Sequence, residues 1–324
     1  MVGGVTPGAD AQQGVAVDDP VIRALAERSL YIGVAAWSEP SLVELYPRTA
    51  KTPEQRLRHY ATQFAVTEVD STFYHPLAER TAALWAGRTP PGFRFDVKAF
   101  RLLTHHPTPP GELWRDLREA LPAELAAKPR VYARDMPEGL VAEALRRFAT
   151  AVRPLQESGR LGLLLFQLPR YLYPSRVSFG YLEFVARELP GLTVGVEFRQ
   201  PRWTDDEHRE RTLDFLAGHG LAYVCVDEPQ GLASSVPPVA AATGEIAAVR
   251  FHGRNRELWE ESGVSPAQRH TYDYQAAELA EWVPRIMSLH EGGRTVHLLM
   301  NNIGGGYAIH NARLLARMLA DRLR

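Results

Sequence analysis

A single cysteine in 324 residues, Cys225, excludes a disulfide framework and a zinc site built on cysteine pairs. It lies within the apolar run 221–227 and reads as buried packing. No apolar stretch approaches the ~20 residues needed to cross a bilayer. Residues 1–20 lack the basic start and apolar segment of a secretory signal, so the expectation is a cytoplasmic protein without membrane contact. Charge of one sign is also missing: 37 basic against 38 acidic residues leave a net charge of -1. That excludes nucleic-acid or membrane binding by bulk charge but leaves room for a local basic cleft. There is no P-loop, no GxGxxG after a strand, and no GxSxG nucleophile elbow.

What the chain does contain is organised around Thr193–Trp203, TVGVEFRQPRW. A short β-branched run is the mark of a strand buried on both faces. This one ends in Glu197 and Arg199, two residues apart and therefore on the same side. Charges at such a place are costly unless they are paired or used.

Other strands end the same way. The pattern predicts strands over 31–36, 66–70, 93–100, 161–167, 193–198, 221–227, 246–252 and 295–301. Helices are predicted near 20–28, 53–64, 76–87, 112–121, 137–157, 181–189, 205–218 and 275–291, and from 308 onward. Thr52-Pro53 is a capping residue followed by proline at the first helical position. Residues 1–29 read as a flexible N-terminal tail and a short lead-in helix, 30–324 as one domain, and about 101–159 as an insertion after the third strand. Eight apolar strands alternating with helices have the count and order of a (β/α)8 TIM-type barrel, an α/β fold. An open doubly wound sheet would gather polar residues at its switch point, whereas here they end nearly every strand.

Alternate strand residues face the lumen and the outer helices. Glu68 and Asp70 share a face, as do Asp96 and Lys98, Glu197 and Arg199, Cys225 and Asp227, Arg250 and His252, and His297 and Asn301. A helix-packed outer face should exclude such groups, so all these faces are assigned to the lumen, with Gln167 and Asn302 at the same mouth.

Six ordered pieces then carry a family resemblance: EVDSTFY (68–74), FDVKAF (95–100), FQLP (166–169), VEFR with its following W (196–203), VRFHGR (249–254) and MNN (300–302). From about Tyr31 to the C-terminus the chain resembles the barrel family known as DUF72, or YecE-like. The resemblance implies a TIM-type barrel related in shape to xylose-isomerase-like and apurinic-endonuclease barrels, without assigning a reaction. The chain departs from the usual pattern at Ala35-Ala36, at Asp70, and in the glycine-rich loop Gly304-Gly305-Gly306.

Two chemistries fit this cup. Glu197, Asp227 and His252, with Glu68, form an oxygen-rich set with one imidazole that suits a divalent metal. His105 and His106 are further candidate ligands, although HHP is also an ordinary surface turn. Without a metal, Lys98, Arg199 and Arg250 would hold a small anionic or phosphorylated substrate, or nucleic acid. Glu197, His252, Asp227 and Lys98 are then the candidate catalytic groups. Glu68, Asp70, Tyr74, Gln167, Trp37, Trp203, Asn301 and Asn302 are the further substrate-binding candidates, the aromatics as stacking surfaces for a sugar or base. A phosphoester or nucleic-acid hydrolase is the leading expectation. A sugar isomerase or lyase, and a non-catalytic anion-binding or partner-docking barrel, are the alternatives.

Overall fold

The structure is a computed structural model that describes residues 15–324. Eight parallel strands close into a barrel: β1 (Leu30–Ala35), β2 (Val66–Val69), β3 (Arg94–Lys98), β4 (Leu161–Gln167), β5 (Val194–Glu197), β6 (Ala222–Asp227), β7 (Ile246–Phe251) and β8 (Thr295–Met300). Closure is made by β1 on β8, in register from Leu30↔Val296 to Val34↔Met300. The (β/α)8 expectation therefore holds in topology, with one exception in the outer ring: no helix lies between β6 and β7, where residues 228–245 run as a loop.

Local chemistry explains several helix starts. Thr52 and Gln55 form a reciprocal capping box before helix Pro53–Gln63. Ser175 accepts from Ser178 N at 3.1 Å, which starts helix Arg176–Glu188 about five residues earlier than periodicity indicates. The helix expected over 275–291 is instead two, Ala276–Ala280 and Val283–Leu289, with Pro284 at the start of the second. The expected tail to residue 19 lies outside the described residues as far as residue 14. After that it is packed, because Val15 and Val17 are buried and Asp18 N donates to Thr62 O.

The insertion after β3 is built from 3-10 turns and short helices before helix Glu138–Glu157. A bridge between Thr108 and Val131 ties it internally. Tyr181 Oη donates to Leu103 O and Tyr171 Oη to His105 O, which fasten it to the β4 side of the mouth.

The core lies between the outer strand faces and the helices, where each fully buried Leu, Ile or Phe side chain contributes about 1.5–3 kcal/mol. Two close approaches are sharper constraints than bulk burial. Tyr60 Oη, on a helix, accepts from Val34 N and donates to Val66 O, both at 2.8 Å, reaching between β1 and β2. Gly33 makes room for this, since a Cβ there would stand 1.9 Å from Val66 O. In the lumen, a Cβ at Gly162 would stand 2.2 Å from Asp96 Oδ1.

The two kinds of glycine predict opposite effects. Gly33→Ala should destabilise by roughly 3 kcal/mol, because backbone rather than a flexible side chain must yield. Gly180→Ala, on an exposed helical turn with nothing within 4 Å, should stabilise by about 0.5–1 kcal/mol. Urea denaturation of both variants measures this, and a tolerated Gly33→Ala would contradict the packing described.

Candidate functional site

Strand register brings Glu68, Arg250 and Glu197 to one level of the lumen, through the pairs Ala35↔Glu68, Gln167↔Glu197 and Val226↔Arg250. Arg250 is 1% exposed and both carboxylates are fully buried. Its Nε and Nη2 donate to Glu68 at 2.7 and 2.6 Å, and its Nη1 donates to Glu197 Oε2. The other Glu197 oxygen accepts from Gln167 Nε2 at 2.7 Å and faces His252 Nε2 at 3.0 Å, with Arg199 Nη1 at 3.5 Å. Glu197 is therefore consumed by its neighbours and orients them.

His252 has its second nitrogen engaged as well: Asn301 Nδ2 lies 2.9 Å from its Nδ1. Asn301 as donor assigns the imidazole proton to Nε2, pointing at Glu197. Above this layer sit the groups that reach the mouth. Lys98 Nζ lies 3.0 Å from Asp70 Oδ1, and Arg199 Nη1 lies 2.9 Å from Glu228 Oε2. The Arg199 and Arg170 guanidinium groups lie 5.1 and 5.8 Å from the Trp259 ring, a buried indole whose N–H has no partner. His270 packs edge-on against Trp259, and its Nδ1 donates to His252 O at 2.8 Å. Among the described residues its Nε2 has no hydrogen-bond partner.

The electrostatics follow from burial plus charge. Burial raises Glu197, but Arg250, His252 and Arg199 outweigh it and hold the carboxyl well below its usual range. Burial raises Asp70 too, yet Lys98 and Arg250 bring it to about 2. Glu68 is pushed up by burial against the pull of Arg250, with the Asp70 charge adding to the rise. Burial lowers His252 well below its ordinary value. Burial and then the Arg199, Arg250 and Lys98 charges lower His270 to about 4. His106, lowered to about 4 by burial and Lys98, rests edge-on against Phe73.

Several expectations are corrected. Asp227 does not face the lumen. Val224 packs with Leu163, Leu165 and Ala248 inside the barrel, so Tyr223, Cys225 and Asp227 face outward. Its carboxylate accepts from Tyr274 Oη and Trp282 Nε1, each at 2.6 Å, and from Arg254 Nη2 at 2.7 Å. The outer layer tolerates this carboxylate because it supplies the donors. Glu197, Asp227 and His252 consequently do not converge as a metal set, and among the described residues no three His, Cys, Asp or Glu side chains do. His105 is turned away from the cup, against Tyr181. Trp203 is fully buried, stacked on Phe198 with its N–H on Leu172 O, and Trp37 packs edge-on against Trp85 and Phe95. Neither is a stacking surface at the mouth, whereas Tyr74 is exposed beside Phe73. Asn302 lies outside the lumen, its Nδ2 bonded to Tyr272 O and Asn311 Oδ1. Glu228, Trp259, Arg170 and His270 were not anticipated.

The family model described as "Protein of unknown function DUF72" matches residues 31–324. The chain belongs to the DUF72 family. The UPF0759 protein YunF of Bacillus subtilis (strain 168) is similar to it, 29% identical over 294 residues that cover 90% of this chain and 94% of the relative. A DUF72 family crystal structure from Thermotoga maritima is 28% identical with a TM-score of 0.69, covering 90% of this chain and 98% of that one. Another DUF72 structure, from Enterococcus faecalis V583, is 23% identical with a TM-score of 0.72, covering 90% and 95%. These likenesses identify the DUF72 barrel without attaching a reaction to it. Among the described residues no helix is long and apolar enough to cross a membrane.

Two outcomes follow for this DUF72 cup. Arg250→Met would leave two buried carboxylates unpaired and should cost roughly 3–5 kcal/mol in urea denaturation, and a loss below about 1 kcal/mol would contradict the hub. Acid should also destabilise the fold. His105, His106 and His270 are lowered from 6.5 to about 4, and His252 is also held well below its ordinary value, so the unfolded chain binds more protons in that window. Glu68 and Glu228, both raised, act in the opposite sense but are fewer. Melting temperature should fall steadily from pH 7 to pH 5, and a flat or rising profile would show that these histidines are not held neutral.

Proposed function

We propose that the chain is an enzyme that handles a proton on a small anionic substrate at the C-terminal mouth of the barrel, with phosphoester hydrolysis the reaction that fits best. The observation that supports this is His270. It is fixed through Nδ1 on the His252 carbonyl, its Nε2 is without a partner, and it lies within the fields of Arg199 and Lys98.

Lys98 and Arg199 would bind phosphoryl oxygens by charge-assisted hydrogen bonds. Their positive charge helps keep the free His270 imidazole neutral, so it is available as a base. Water attacks phosphorus and loses its proton to His270 Nε2. The bond to the leaving alcohol breaks, and the leaving oxygen takes a proton from solvent. Bound anion offsets the two cations, which raises His270 and lets it hold the transferred proton. Glu197 and His252, committed to their neighbours, position Arg199 and the His270 anchor rather than react.

A sugar isomerase or lyase reading would use the same imidazole. It is favoured by the recess beside the cup, whose largely apolar wall carries the polar groups of Asp70, Asn301 and Asn302.

Thermal shift with inorganic phosphate and turnover of phosphomonoesters, phosphodiesters and oligonucleotides test the reading. Wild type should be stabilised by phosphate and should hydrolyse at least one of the esters. Lys98→Met should lose the phosphate shift. His270→Ala should keep the shift but lose about 10²-fold or more in turnover. Phosphate binding without turnover of any ester would leave a non-catalytic anion-binding barrel, and full activity in His270→Ala would remove the proposed role.

A further inference from the structure

We propose that the recess between the loops after β1 and β8 binds a polyhydroxylated, sugar-like portion of the substrate, an assignment that rests on the anionic-substrate reading above. The recess has a volume of about 90 Å³ and is walled by Ala35, Asp70, Asn301, Asn302, Gly304 and Gly306 among others. Since a single water needs roughly 10–15 Å³, this is room for roughly six to nine water-sized groups, a short polyol or one face of a pentose.

Its polar lining is unfinished. Asn302 is fully buried and turns its Nδ2 to Tyr272 O and Asn311 Oδ1, leaving Oδ1 as an acceptor without a donor. Asp70 Oδ1 lies 3.0 Å from Lys98 Nζ but makes no aligned hydrogen bond. A buried unpaired acceptor costs about 1–3 kcal/mol, so Asn302 Oδ1 implies a donor from outside the chain, while the Lys98 charge already compensates Asp70. Hydroxyl groups supply such donors, whereas a phosphoester group at neutral pH acts mainly as an acceptor.

The opposite rim is complementary. Gly304, Gly305 and Gly306 take φ of +97°, +53° and +77°, a succession of left-handed residues that only glycine adopts freely. The turn leads into the 16-residue helix Tyr307–Arg322, whose N-cap Gly306 has no side chain to cap it. Among the described residues the N–H groups of Gly304, Gly305, Gly306 and Ala308 meet no acceptor. Such a concave row of amides accepts ligand oxygens. A hydroxylated carbon chain meets both walls at once, donating to Asp70 and Asn302 and accepting from the glycine turn. Its anionic group then falls beside Lys98, the partner of Asp70.

The test compares inorganic phosphate, ribitol and ribose 5-phosphate on the full chain by calorimetry. Ala35→Leu fills the recess from the β1 side, and Asp70→Asn replaces one acceptor oxygen by a donor. Ribose 5-phosphate should bind wild type at least tenfold more tightly than phosphate, and ribitol should bind measurably. Both variants should lose that advantage while still binding phosphate, which shows that they are folded and the cationic site is intact. Phosphate binding with no gain from the sugar, or a gain that survives both variants, overturns this inference and leaves the anionic reading standing. Failure of phosphate and ribose 5-phosphate alike overturns both.

Discussion

One guanidinium constrains the inside of this barrel. Arg250 on β7 grips Glu68 on β2 through two nitrogens and Glu197 on β5 through the third, and all three groups are out of water. Breaking such a set is far more costly than forming it is favourable, because each ion left alone is desolvated without compensation. The three strands are therefore locked in register across the lumen. Glu197 is held in its charged form with both oxygens spoken for, so the cations that keep exposed surface, Lys98 and Arg199, lie nearer the rim.

The rim inherits its character from that hub. Four carboxylates (Glu68, Asp70, Glu197 and Glu228) face three cations (Lys98, Arg199 and Arg250), and of the seven only Asp70, Lys98 and Arg199 keep exposed side-chain surface. Only Lys98 and Arg199 among the three cations retain exposed side-chain surface, each 13%. The imidazoles beside them stay neutral because burial and nearby positive charge both disfavour a second cation. In the proposed reading an incoming anion would act on this site in two ways at once, by pairing with its cations and by making its own histidine more basic.

Much of the barrel was legible in the sequence because buried parallel strands leave continuous apolar runs, and because charges at the ends of such runs have few places to go. Glu68, Lys98, Gln167, Glu197, Arg199, Arg250, His252 and Asn301 share the mouth for that reason. Asp227 misled because parity alone does not say which face is inward. Val224 and Val226 are small enough for the lumen, while Tyr223 and Cys225 pack outward, and that contrast was the available signal. Trp37 and Trp203 lie near strand ends, but aromatic bulk near a mouth packs under loops as readily as it lines one. Trp259 and Glu228 lie on loops, and His270 ends the five-residue helix Pro266–His270, too short for periodicity to report direction. The capping box Ser265–Gln268 ahead of His270 was the one local hint that the β7 loop is ordered enough to deliver a side chain.

The central claim is a division of labour: His252 is bound into the hub, and His270 is the imidazole left open to substrate. Side-chain nitrogen NMR of both histidines across pH 4–8, with and without phosphate, tests this directly. The account predicts His252 neutral with its proton on Nε2 and unmoved by phosphate, and His270 neutral without the anion but titrating at higher pH with it. A His252 that protonates near pH 6.5, or a His270 indifferent to phosphate, would contradict it.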